Sequence, residues 1–600
     1  MIITIMVLSL LAGFIVSNEE IIEYPSVHYQ AVQDNLIDVD SHRELVVVDN
    51  SGDSELYGTV FGFLPFWVNQ AWLHYDLISV LAVFSVDMGA GGTITNAHGF
   101  PATFATAMDQ AHANGAEVVV TVTNFSGSSI HSILTTGRST AIATIEDLVN
   151  STVVDGVCID FENVQAADSD SLVTFMDDLR AALPDAHISI CTPVVDWSGA
   201  FNYSELAQSC DALMMMCYAF SGSWSAVAGP NAPLVGWGSS PESSSNMAWA
   251  LCDYIRYAPD VHEKLVVGLP YYGHQWETAG SSTHSPVSSC NTLFYTAMAD
   301  SADAYGALWD EESLTAWYCF NSAGWNQGWY DDDESLGLKY DMVTMSGIQG
   351  IGIWALGYDG ERTELWEELE DSFGEPVVND MITDNLENCF QLHGPSSYWH
   401  PYTENGQYHT FFYTGSISSG PDVNWAQWFF QLPDSTASYY LESYIPSTGT
   451  ASVTYHILHG SEEDSVTVNQ SAFSEQWVSL GGPYYSANGL SVTVGDNTGT
   501  AGQRIVVDAV RFTQSTGIEQ FSDELSGQFT VSASPASSFT VCSLDGGRLQ
   551  IIDVCGRVVT ENNLQPGASW TWNDRAPSGV YFISIDGGGE FSSCRVVLLK

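Results

Sequence analysis

The chain has 600 residues, of which 45% are hydrophobic and 12% aromatic, so it is long enough for about three folded domains, and its composition argues against disorder. Its 72 Asp and Glu residues against 14 Lys and Arg give a formal net charge of -58. This excess of negative charge argues against nucleic acid and against an anionic membrane surface as partners, because both are bound by basic side chains.

The first 17 residues, MIITIMVLSLLAGFIVS, form an apolar run that the polar segment NEE follows. The run is shorter than a typical membrane-spanning helix and is typical of a secretory signal peptide, after which residues 18–56 form an N-terminal extension. The rest of the sequence contains no apolar run long enough to span a membrane. We therefore expect a secreted or cell-surface protein with no membrane span in the mature chain.

Between residues 57 and 373, short apolar runs alternate with longer stretches that are compatible with helices, as in repeated βα units. The runs are almost continuously apolar, as strands buried on both faces should be. They cover residues 59–67, 77–86, 116–125, 156–164, 187–195, 212–220, 264–273 and 347–357. Because a closed (β/α)8 barrel has eight such strands, the sequence predicts an α/β fold of the TIM-barrel type.

Residues 274–346 separate the seventh and eighth runs by more than one crossover helix needs, which predicts an insertion between the seventh and eighth strands of the barrel. We predict a disulfide bridge between Cys290 and Cys319 in this segment, since export permits disulfides. Beyond the barrel, short β-prone segments separated by turn residues predict two all-β domains. These are a β-sandwich over residues 376–514 and a smaller domain over residues 529–600, with a polar linker over residues 515–528.

The fourth run carries two acids, Asp160 and Glu162, among apolar neighbours, where burial of a carboxylate is costly. Residues i and i+2 of a strand project to the same face, so both carboxylates point into one space at the end of the strand where barrel enzymes assemble their sites. Two neighbouring carboxylates disfavour simultaneous ionisation, which keeps a proton available for general acid catalysis. The alternative is that the two acids have a structural role, in which they cap the following helix or bind a backbone amide.

Residues 155–162 read DGVCIDFE and resemble the signature D-G-x-D-x-D-x-E of glycoside hydrolase family eighteen, the chitinase-like and peptidoglycan-glucosaminidase barrels. Three further stretches resemble later strands of that family in the same order: MMMCY (214–218), LVVGLPYYG (265–273) and GIGIWALGYD (350–359). Four ordered motifs on four predicted strands make the resemblance specific. It covers residues 59–369, approximately the whole predicted barrel.

The resemblance implies a retaining, substrate-assisted glycosidase that needs neither a cofactor nor a metal and hydrolyses β-1,4-linked polysaccharide containing N-acetylglucosamine. Glu162 would protonate the glycosidic oxygen, and the acetamido oxygen of the substrate would attack the anomeric carbon. Asp160 would orient the acetamido N–H, and the Tyr218 hydroxyl would hold the acetamido oxygen. Glu162 would then activate the water that completes the reaction.

Three further residues are candidates for binding the substrate. Trp354 resembles the tryptophan on which the sugar beside the scissile bond stacks in this family, with core packing as its alternative role. Met216 shares a strand face with Tyr218, although core packing explains it equally well. Asn124 is expected to line the site together with Asn163, for which helix capping is an equally good account.

Two positions depart from the family pattern. Cys158 stands where the family has its middle Asp, and Ala219 stands where an Asp commonly follows the Tyr. A neutral residue at the middle position resembles the pattern of the peptidoglycan-acting branch of the family. The resemblance therefore favours peptidoglycan over chitin as the substrate. The alternative to an enzyme is a catalytically silent barrel that binds glycan as an adhesion protein, and the joint presence of Glu162, Asp160 and Tyr218 favours the enzyme.

The later segments resemble two further modules. Residues 380–513 resemble a golvesin-type β-sandwich, in which Trp425, Trp428 and Trp477 occupy alternating positions typical of a core. The last unit contains IIDVCGR (551–557) and resembles the C-terminal sorting domain of the type IX secretion system. This second resemblance implies that the type IX export machinery is a partner of the chain.

Overall fold

The computed structural model describes two parts of the chain. The first comprises residues 28, 30–31, 56–237, 245–374, 381–430, 432–433, 437–460, 462–486 and 489–514, and the second comprises residues 529–534, 538–543, 547–553, 558–572, 579–587 and 590–598. The predicted signal peptide (1–17), most of the N-terminal extension (18–56) and the predicted linker (515–528) lie outside the described residues. Residues 1–514 and 515–600 form separate compact units.

The first unit is built on a closed barrel of parallel strands. The strand order is β1-β14-β8-β7-β6-β5-β4-β2, and β1 also pairs with β2, which closes the cylinder. The sheet consists of β1 (Thr59–Pro65), β2 (Val80–Met88), a short antiparallel extension β3 (Ile94–Asn96), β4 (Glu117–Asn124), β5 (Gly156–Phe161), β6 (His187–Pro193), β7 (Ala212–Met216), β8 (Leu265–Pro270) and β14 (Gly350–Trp354). Each predicted run supplies one barrel strand, so the predicted α/β TIM barrel is confirmed.

Helices surround the barrel, except that the helix Tyr295–Tyr305 packs against the sheet that fills the predicted insertion. They are α1 (Ala105–Ala113), α2 (Gly127–Leu134), α3 (Arg138–Asn150), α4 (Ser169–Ala182), α5 (Tyr203–Ser209), α6 (Met247–Tyr257), α7 (Tyr295–Tyr305), α8 (Asp333–Ser346) and α9 (Glu364–Phe373). None of these described helices is long and apolar enough to cross a membrane.

Two residues of the DGVCIDFE segment serve the packing of the barrel. A Cβ atom on Gly156 would lie 1.9 Å from the carbonyl oxygen of His187 on β6, so only glycine fits where these strands approach each other. The carboxylate of Asp155 accepts hydrogen bonds from the backbone N–H of Val118 (2.8 Å) and bonds the ring of His112 (2.7 Å). Asp155 therefore ties the start of β5 to β4 and α1.

An antiparallel sheet fills the predicted insertion. Its strand order is β10-β9-β13-β12-β11, and its strands are β9 (Tyr272–Thr278), β10 (Val287–Phe294), β11 (Ala307–Asp310), β12 (Thr315–Asn321) and β13 (Trp325–Tyr330). The first of these strands starts directly after barrel strand β8, so the insertion rises from the carboxyl end of the barrel.

The predicted disulfide bridge between Cys290 and Cys319 is wrong, because both thiols are free. Cys290 on β10 is paired with Trp276 on β9, Trp276 with Gln327 on β13, and Gln327 with Cys319 on β12. Two strands therefore separate the cysteines, and at about 4.8 Å per strand they are roughly 14 Å apart. A disulfide needs Cα atoms no more than about 7 Å apart.

Three small antiparallel sheets follow the barrel in the same unit, as predicted for an all-β domain. Their strands are β15 (Ile382–Thr383), β16 (Phe390–His393), β17 (His400–Thr403), β18 (Thr410–Gly415), β19 (Trp425–Phe429), β20 (Ser438–Ile445), β21 (Ser452–His459), β22 (Glu462–Asn469), β23 (Gln476–Tyr485), β24 (Leu490–Gly495), β25 (Arg504–Val507) and β26 (Val510–Gln514). Trp428 is fully buried in this core, whereas Trp425 and Trp477 are partly exposed.

The β-sandwich is bonded directly to the barrel. A guanidinium nitrogen of Arg256, in α6, donates to the carbonyl oxygen of Trp399 at 2.7 Å. The ring of His262 bonds the carbonyl oxygen of Leu386 at 2.6 Å. Since these groups are mostly buried, the two domains share a specific interface rather than a loose linkage.

The second unit contains two further antiparallel sheets, with strand orders β27-β28-β31 and β30-β29-β32-β33. Its strands are β27 (Phe529–Ser534), β28 (Ser538–Ser543), β29 (Gly547–Asp553), β30 (Val558–Leu564), β31 (Ser569–Trp572), β32 (Gly579–Gly587) and β33 (Glu590–Leu598). The end of the IIDVCGR segment, residues 554–557, lies outside the described residues.

Candidate active site

The predicted catalytic residues lie where two barrel strands end. Asp160 is the last residue but one of β5 and is fully buried. Glu162 follows β5 directly, and its backbone N–H donates to the carbonyl oxygen of Asn124 at 3.1 Å, which keeps it beside the end of β4. Tyr218 follows β7 by two residues and is 4% exposed. All three therefore lie at the carboxyl end of the barrel, where TIM-barrel sites are assembled.

The three side chains converge on one imidazole ring, that of His28 from the N-terminal extension. The ring Nδ1 lies 2.8 Å from Asp160 Oδ2 and 3.4 Å from Glu162 Oε1. The other nitrogen, Nε2, lies 2.7 Å from the Tyr218 hydroxyl. The predicted acid, its neighbouring aspartate and the tyrosine thus share one small space.

Aromatic rings enclose the same space. The ring centroids of His28 and Trp354 are 3.8 Å apart with their planes at 33°, and the Phe84 ring meets His28 edge-on at 5.5 Å. Trp354 is the last residue of β14 and is 1% exposed. Its contact with His28 places it in the site rather than in the barrel core alone.

Burial and the two carboxylates act in opposite directions on His28. Burial disfavours the charged imidazolium, but Asp160 and Glu162 outweigh it and raise the pKa of His28 above its ordinary value of 6.5. Burial likewise raises the pKa of Tyr218 far above its usual range, and the nearby acids add to the effect. Tyr218 therefore keeps its proton and can act as a hydrogen-bond donor.

A pair of thiols replaces the carboxylate that the family pattern has at position 158. Cys158 faces the barrel interior two residues before Asp160, and its sulfur lies 3.8 Å from that of Cys191 on β6. Burial raises the pKa of the Cys191 thiol well above its ordinary value, so this sulfur is uncharged. Asp160 therefore has no acid at position 158 with which to share its charge, and its Oδ1 atom has no hydrogen-bond partner among the described residues.

Ala219, where the family pattern commonly has an Asp, lies in a turn that a buried asparagine holds. Ala219 has φ = 60°, and its N–H donates to the side-chain oxygen of Asn231 at 2.9 Å. The amide nitrogen of Asn231 in turn donates to the carbonyl oxygen of Tyr272 at 3.0 Å. The buried Asn231, which the sequence analysis missed, thus fixes the turn that positions Tyr218.

The remaining predicted residues have structural partners. The side chain of Asn124 bonds Met88, Ser129 and the backbone N–H of Ser126, and Met216 is partly buried against the core. Their roles in substrate binding stay predictions. Asn163 does not cap a helix, because the N-cap of α4 is Asp168. Instead Asn163 has φ = 69° and donates to the carbonyl oxygen of Phe125 at 3.1 Å.

One group of potential metal ligands exists among the described residues. It consists of His28, Asp160 and Glu162, whose ligand atoms lie within 4.8 Å of one another. The 2.8 Å contact between Nδ1 and Oδ2 is a normal length for a charge-assisted hydrogen bond, which accounts for the arrangement without an ion.

The loop after β6 presents an exposed tryptophan at the same end of the barrel, which the sequence analysis also missed. Trp197 is 81% exposed. The carboxylate of the preceding Asp196 accepts hydrogen bonds from Ser198, Gly199 and Phe201, so the loop is held in one shape. An exposed aromatic ring is suited to stacking on a flat apolar ligand face.

A buried acid lies at the end of the eighth-strand motif. One oxygen of Asp359 accepts a hydrogen bond from the indole N–H of Trp366 at 2.6 Å, and the other has no partner among the described residues. Burial raises the pKa of Asp359 to about 7, although hydrogen bonds from Trp366 and from backbone N–H groups oppose the shift.

We expect Asp359→Asn to change how stability depends on pH. The folded protein retains a proton on Asp359 that the unfolded chain releases above about pH 4, so this group makes folding less favourable as pH rises from about 4 to 7. The loss is at most about 1.4 kcal/mol per pH unit. The melting temperature of the variant relative to the wild type should therefore rise across this window in thermal denaturation, and identical pH dependence of the two proteins would contradict the assignment.

Comparison with known proteins agrees with the geometry of the site. Residues 68–359 match the family model Glycosyl hydrolases family 18, and residues 381–514 match the Golvesin C-terminal domain. A "Probable endochitinase" of Caenorhabditis elegans is 25% identical over 40% of this chain and 44% of its own length. Human di-N-acetylchitobiase is 26% identical over 44% of this chain and 75% of its own length.

Among solved structures, the Group IV chitinase of Ostrinia furnacalis is 17% identical, with a TM-score of 0.48 over 53% of this chain and 100% of that chain. The chain thus spans less than half the length of the nematode relative and three quarters of the human one. The comparisons thus find a glycosyl hydrolases family 18 domain within the barrel, over residues 68–359, and a Golvesin C-terminal domain after it in the chain.

Proposed function

We propose that the protein is a secreted, retaining glycosidase that hydrolyses β-1,4-linked polysaccharide containing N-acetylglucosamine by substrate-assisted catalysis. The observation that carries the proposal is the convergence of Asp160, Glu162 and Tyr218 on the two nitrogens of one ring, inside a family 18 barrel. A group the size of an acetamide in the same space would be within reach of all three side chains.

Each side chain has the chemistry that its proposed role requires. Glu162 is the most exposed of the three, with 14% of its side chain accessible, so it can reach a glycosidic oxygen arriving from solvent and later activate water. Asp160 is fully buried and accepts a hydrogen bond from an N–H donor, as it would from the acetamido N–H of a substrate. Tyr218 keeps its proton and can donate a hydrogen bond to the acetamido oxygen.

The acetamido oxygen would attack the anomeric carbon as Glu162 protonates the leaving oxygen, which gives a cyclic oxazolinium intermediate. Asp160 would stabilise the positive charge that develops on this ring, since a carboxylate in a buried site interacts strongly with a nearby charge. Water activated by Glu162 would open the intermediate, and two inversions at the anomeric carbon would give net retention.

The substrate is tested by mass analysis of the products released from chitin oligomers and from peptidoglycan. The neutral Cys158 favours peptidoglycan through its resemblance to that branch of the family, whereas the net charge of -58 should repel a polymer that carries acidic peptides. Hydrolysis of peptidoglycan should therefore increase with salt concentration, and hydrolysis of neutral chitin oligomers should not. Release of no product from either polymer would contradict the proposed function.

We expect Trp197→Ala to weaken the action on long substrates only. The exposed ring would contact a sugar distant from the scissile bond, and the loss of that contact area should cost about tenfold in kcat/KM on oligomers long enough to reach it. Aryl glycosides of one or two sugars should be cleaved at the wild-type rate. An equal loss on short and long substrates, measured by steady-state kinetics, would exclude a distant sugar-binding role.

The second unit is proposed to be the export signal of the type IX secretion system, and secretion of the chain follows from it. The proposal rests on the IIDVCGR segment of the sequence (551–557), whose first three residues lie in β29, and on the sheet β30-β29-β32-β33. A reporter fused to residues 515–600 should reach the medium of a host with that system, and a reporter fused to residues 381–514 should not. Equal retention of both reporters would contradict the proposal.

A silent glycan-binding barrel is the second candidate. This candidate is favoured by Cys158, which stands at the middle position of the signature where the family pattern has an Asp. The replacement removes a negative charge from the site. Binding of N-acetylglucosamine oligomers without any hydrolysis would support it.

A further inference from the structure

A residue from outside the barrel fills the catalytic centre. His28 belongs to the N-terminal extension, and its bonds to Asp160 and Tyr218 span 132 and 190 residues of the chain. The ring is fully buried, in contact with the carboxylates on one side and with Trp354 on another. Ala31, on the same helical turn, also packs against the core of the protein.

The hydrogen bonds of the ring match those that an acetamide would make. A carboxylate only accepts hydrogen bonds, so Nδ1 must donate to Asp160 Oδ2, as an acetamido N–H would. In the neutral ring, Nε2 accepts from the Tyr218 hydroxyl, as an acetamido oxygen would. One flat ring thus offers a donor and an acceptor to the two residues that are proposed to hold the reactive group of the substrate.

The groups around the ring are closed off from solvent. With His28 in place, Asp160 is fully buried, Tyr218 is 4% exposed and Trp354 is 1% exposed. A sugar cannot stack on Trp354 or reach Asp160 while the imidazole lies between them, because protein interiors leave no free space for both groups.

We propose that His28 is an internal inhibitor: its imidazole ring occupies the acetamide-binding position of the barrel, and N-acetylglucosamine glycans must displace the ring to react. This inference rests on the proposed function for the identity of the displacing ligand. His28 lies beyond the predicted signal peptide, so an exported chain would still carry the inhibitor.

The two carboxylates add to the hold on His28. Asp160 lies 2.8 Å and Glu162 3.4 Å from Nδ1, and both favour an N–H donor at this position.

The first test compares the full-length wild type with His28→Ala, using an aryl glycoside of di-N-acetylchitobiose. Removal of the ring should raise kcat/KM at least about tenfold, since the wild type would spend at most a tenth of its time open. Gln30→Ala, an exposed residue of the same segment, is the matched control and should leave the rate unchanged. A ratio near one for His28→Ala would overturn the proposal.

The second test follows His28 itself and does not depend on turnover. In the wild type, diethyl pyrocarbonate should modify His28 much more slowly than His456, whose side chain is 52% exposed, as judged by peptide mass analysis. Addition of tri-N-acetylchitotriose should make His28 reactive while leaving His456 unchanged. A His28 that reacts as fast as His456 without the sugar would overturn the proposal.

The two tests separate this inference from the proposed function. Exposure of His28 by the sugar, with no hydrolysis by any variant, would support an occupied glycan site and contradict the enzyme. Equal hydrolysis by wild type and His28→Ala, with an unprotected His28, would support the enzyme and contradict the inhibitor. Activation of the wild type by a metal chelator, to the level of His28→Ala, would show that an ion rather than direct hydrogen bonding holds the ring, and would also contradict the inhibitor as proposed.

Discussion

Replacement of Glu162 by Gln is expected to lower kcat by roughly 10²–10⁴-fold, the usual contribution of a positioned general acid and base. The amide has nearly the shape of the carboxyl group but cannot donate a proton to the glycosidic oxygen or accept one from water. Because only the chemistry is removed, the affinity for N-acetylglucosamine oligomers and the melting temperature should change little. Initial-rate kinetics together with calorimetric titration of an oligomer measure both effects.

The matched control is Glu205→Gln, the same chemical change at an exposed position in α5. It should leave kcat unchanged. Both substitutions should also be made in the His28→Ala background, so that a low rate is not confused with a closed site. A Glu162→Gln variant that retains more than about a tenth of the wild-type kcat would show that the proton comes from another group.

Replacement of Asp160 by Asn is expected to lower kcat by about 10²–10³-fold, which is typical for loss of one preorganised electrostatic group. The asparagine oxygen can still accept a hydrogen bond from the acetamido N–H, so KM should change little. Its neutral side chain cannot stabilise the positive charge that develops as the acetamido oxygen attacks. The loss should therefore appear mainly in kcat, as measured by steady-state kinetics on oligomers.

Asp155→Asn provides the control within the same signature. Asp155 bonds Val118 and His112 at the opposite end of β5, so its replacement should lower the melting temperature and leave kcat nearly unchanged. A loss in KM alone for Asp160→Asn would instead indicate that this carboxylate binds substrate without stabilising the reaction.

The barrel could be predicted from sequence because each of its strands is buried on both faces and therefore appears as an apolar run. The ends of the apolar runs do not show where the strands end. The run 212–220 continues past the end of β7 at Met216, because Tyr218 and its neighbours stay buried after leaving the sheet. The same continuity placed Glu162 and Tyr218 at the correct end of the barrel.

The errors and omissions came from contacts that local patterns do not encode. Cys290 and Cys319 lie in the same insertion, which made a disulfide bridge between them a reasonable prediction. The strand order of the insertion, however, puts β9 and β13 between the two cysteines. His28 lies in a segment without a periodic pattern, and its partners are more than 100 residues away. Its position depends on the completed barrel, which alone brings Asp160 and Tyr218 together.

The bonds from Arg256 and His262 to the β-sandwich have a consequence for the handling of a polymer. They fix the sandwich to the outer helices of the barrel, so the sandwich cannot swing on a tether. A sugar chain bound by the sandwich would therefore reach the proposed catalytic site at one fixed angle and distance.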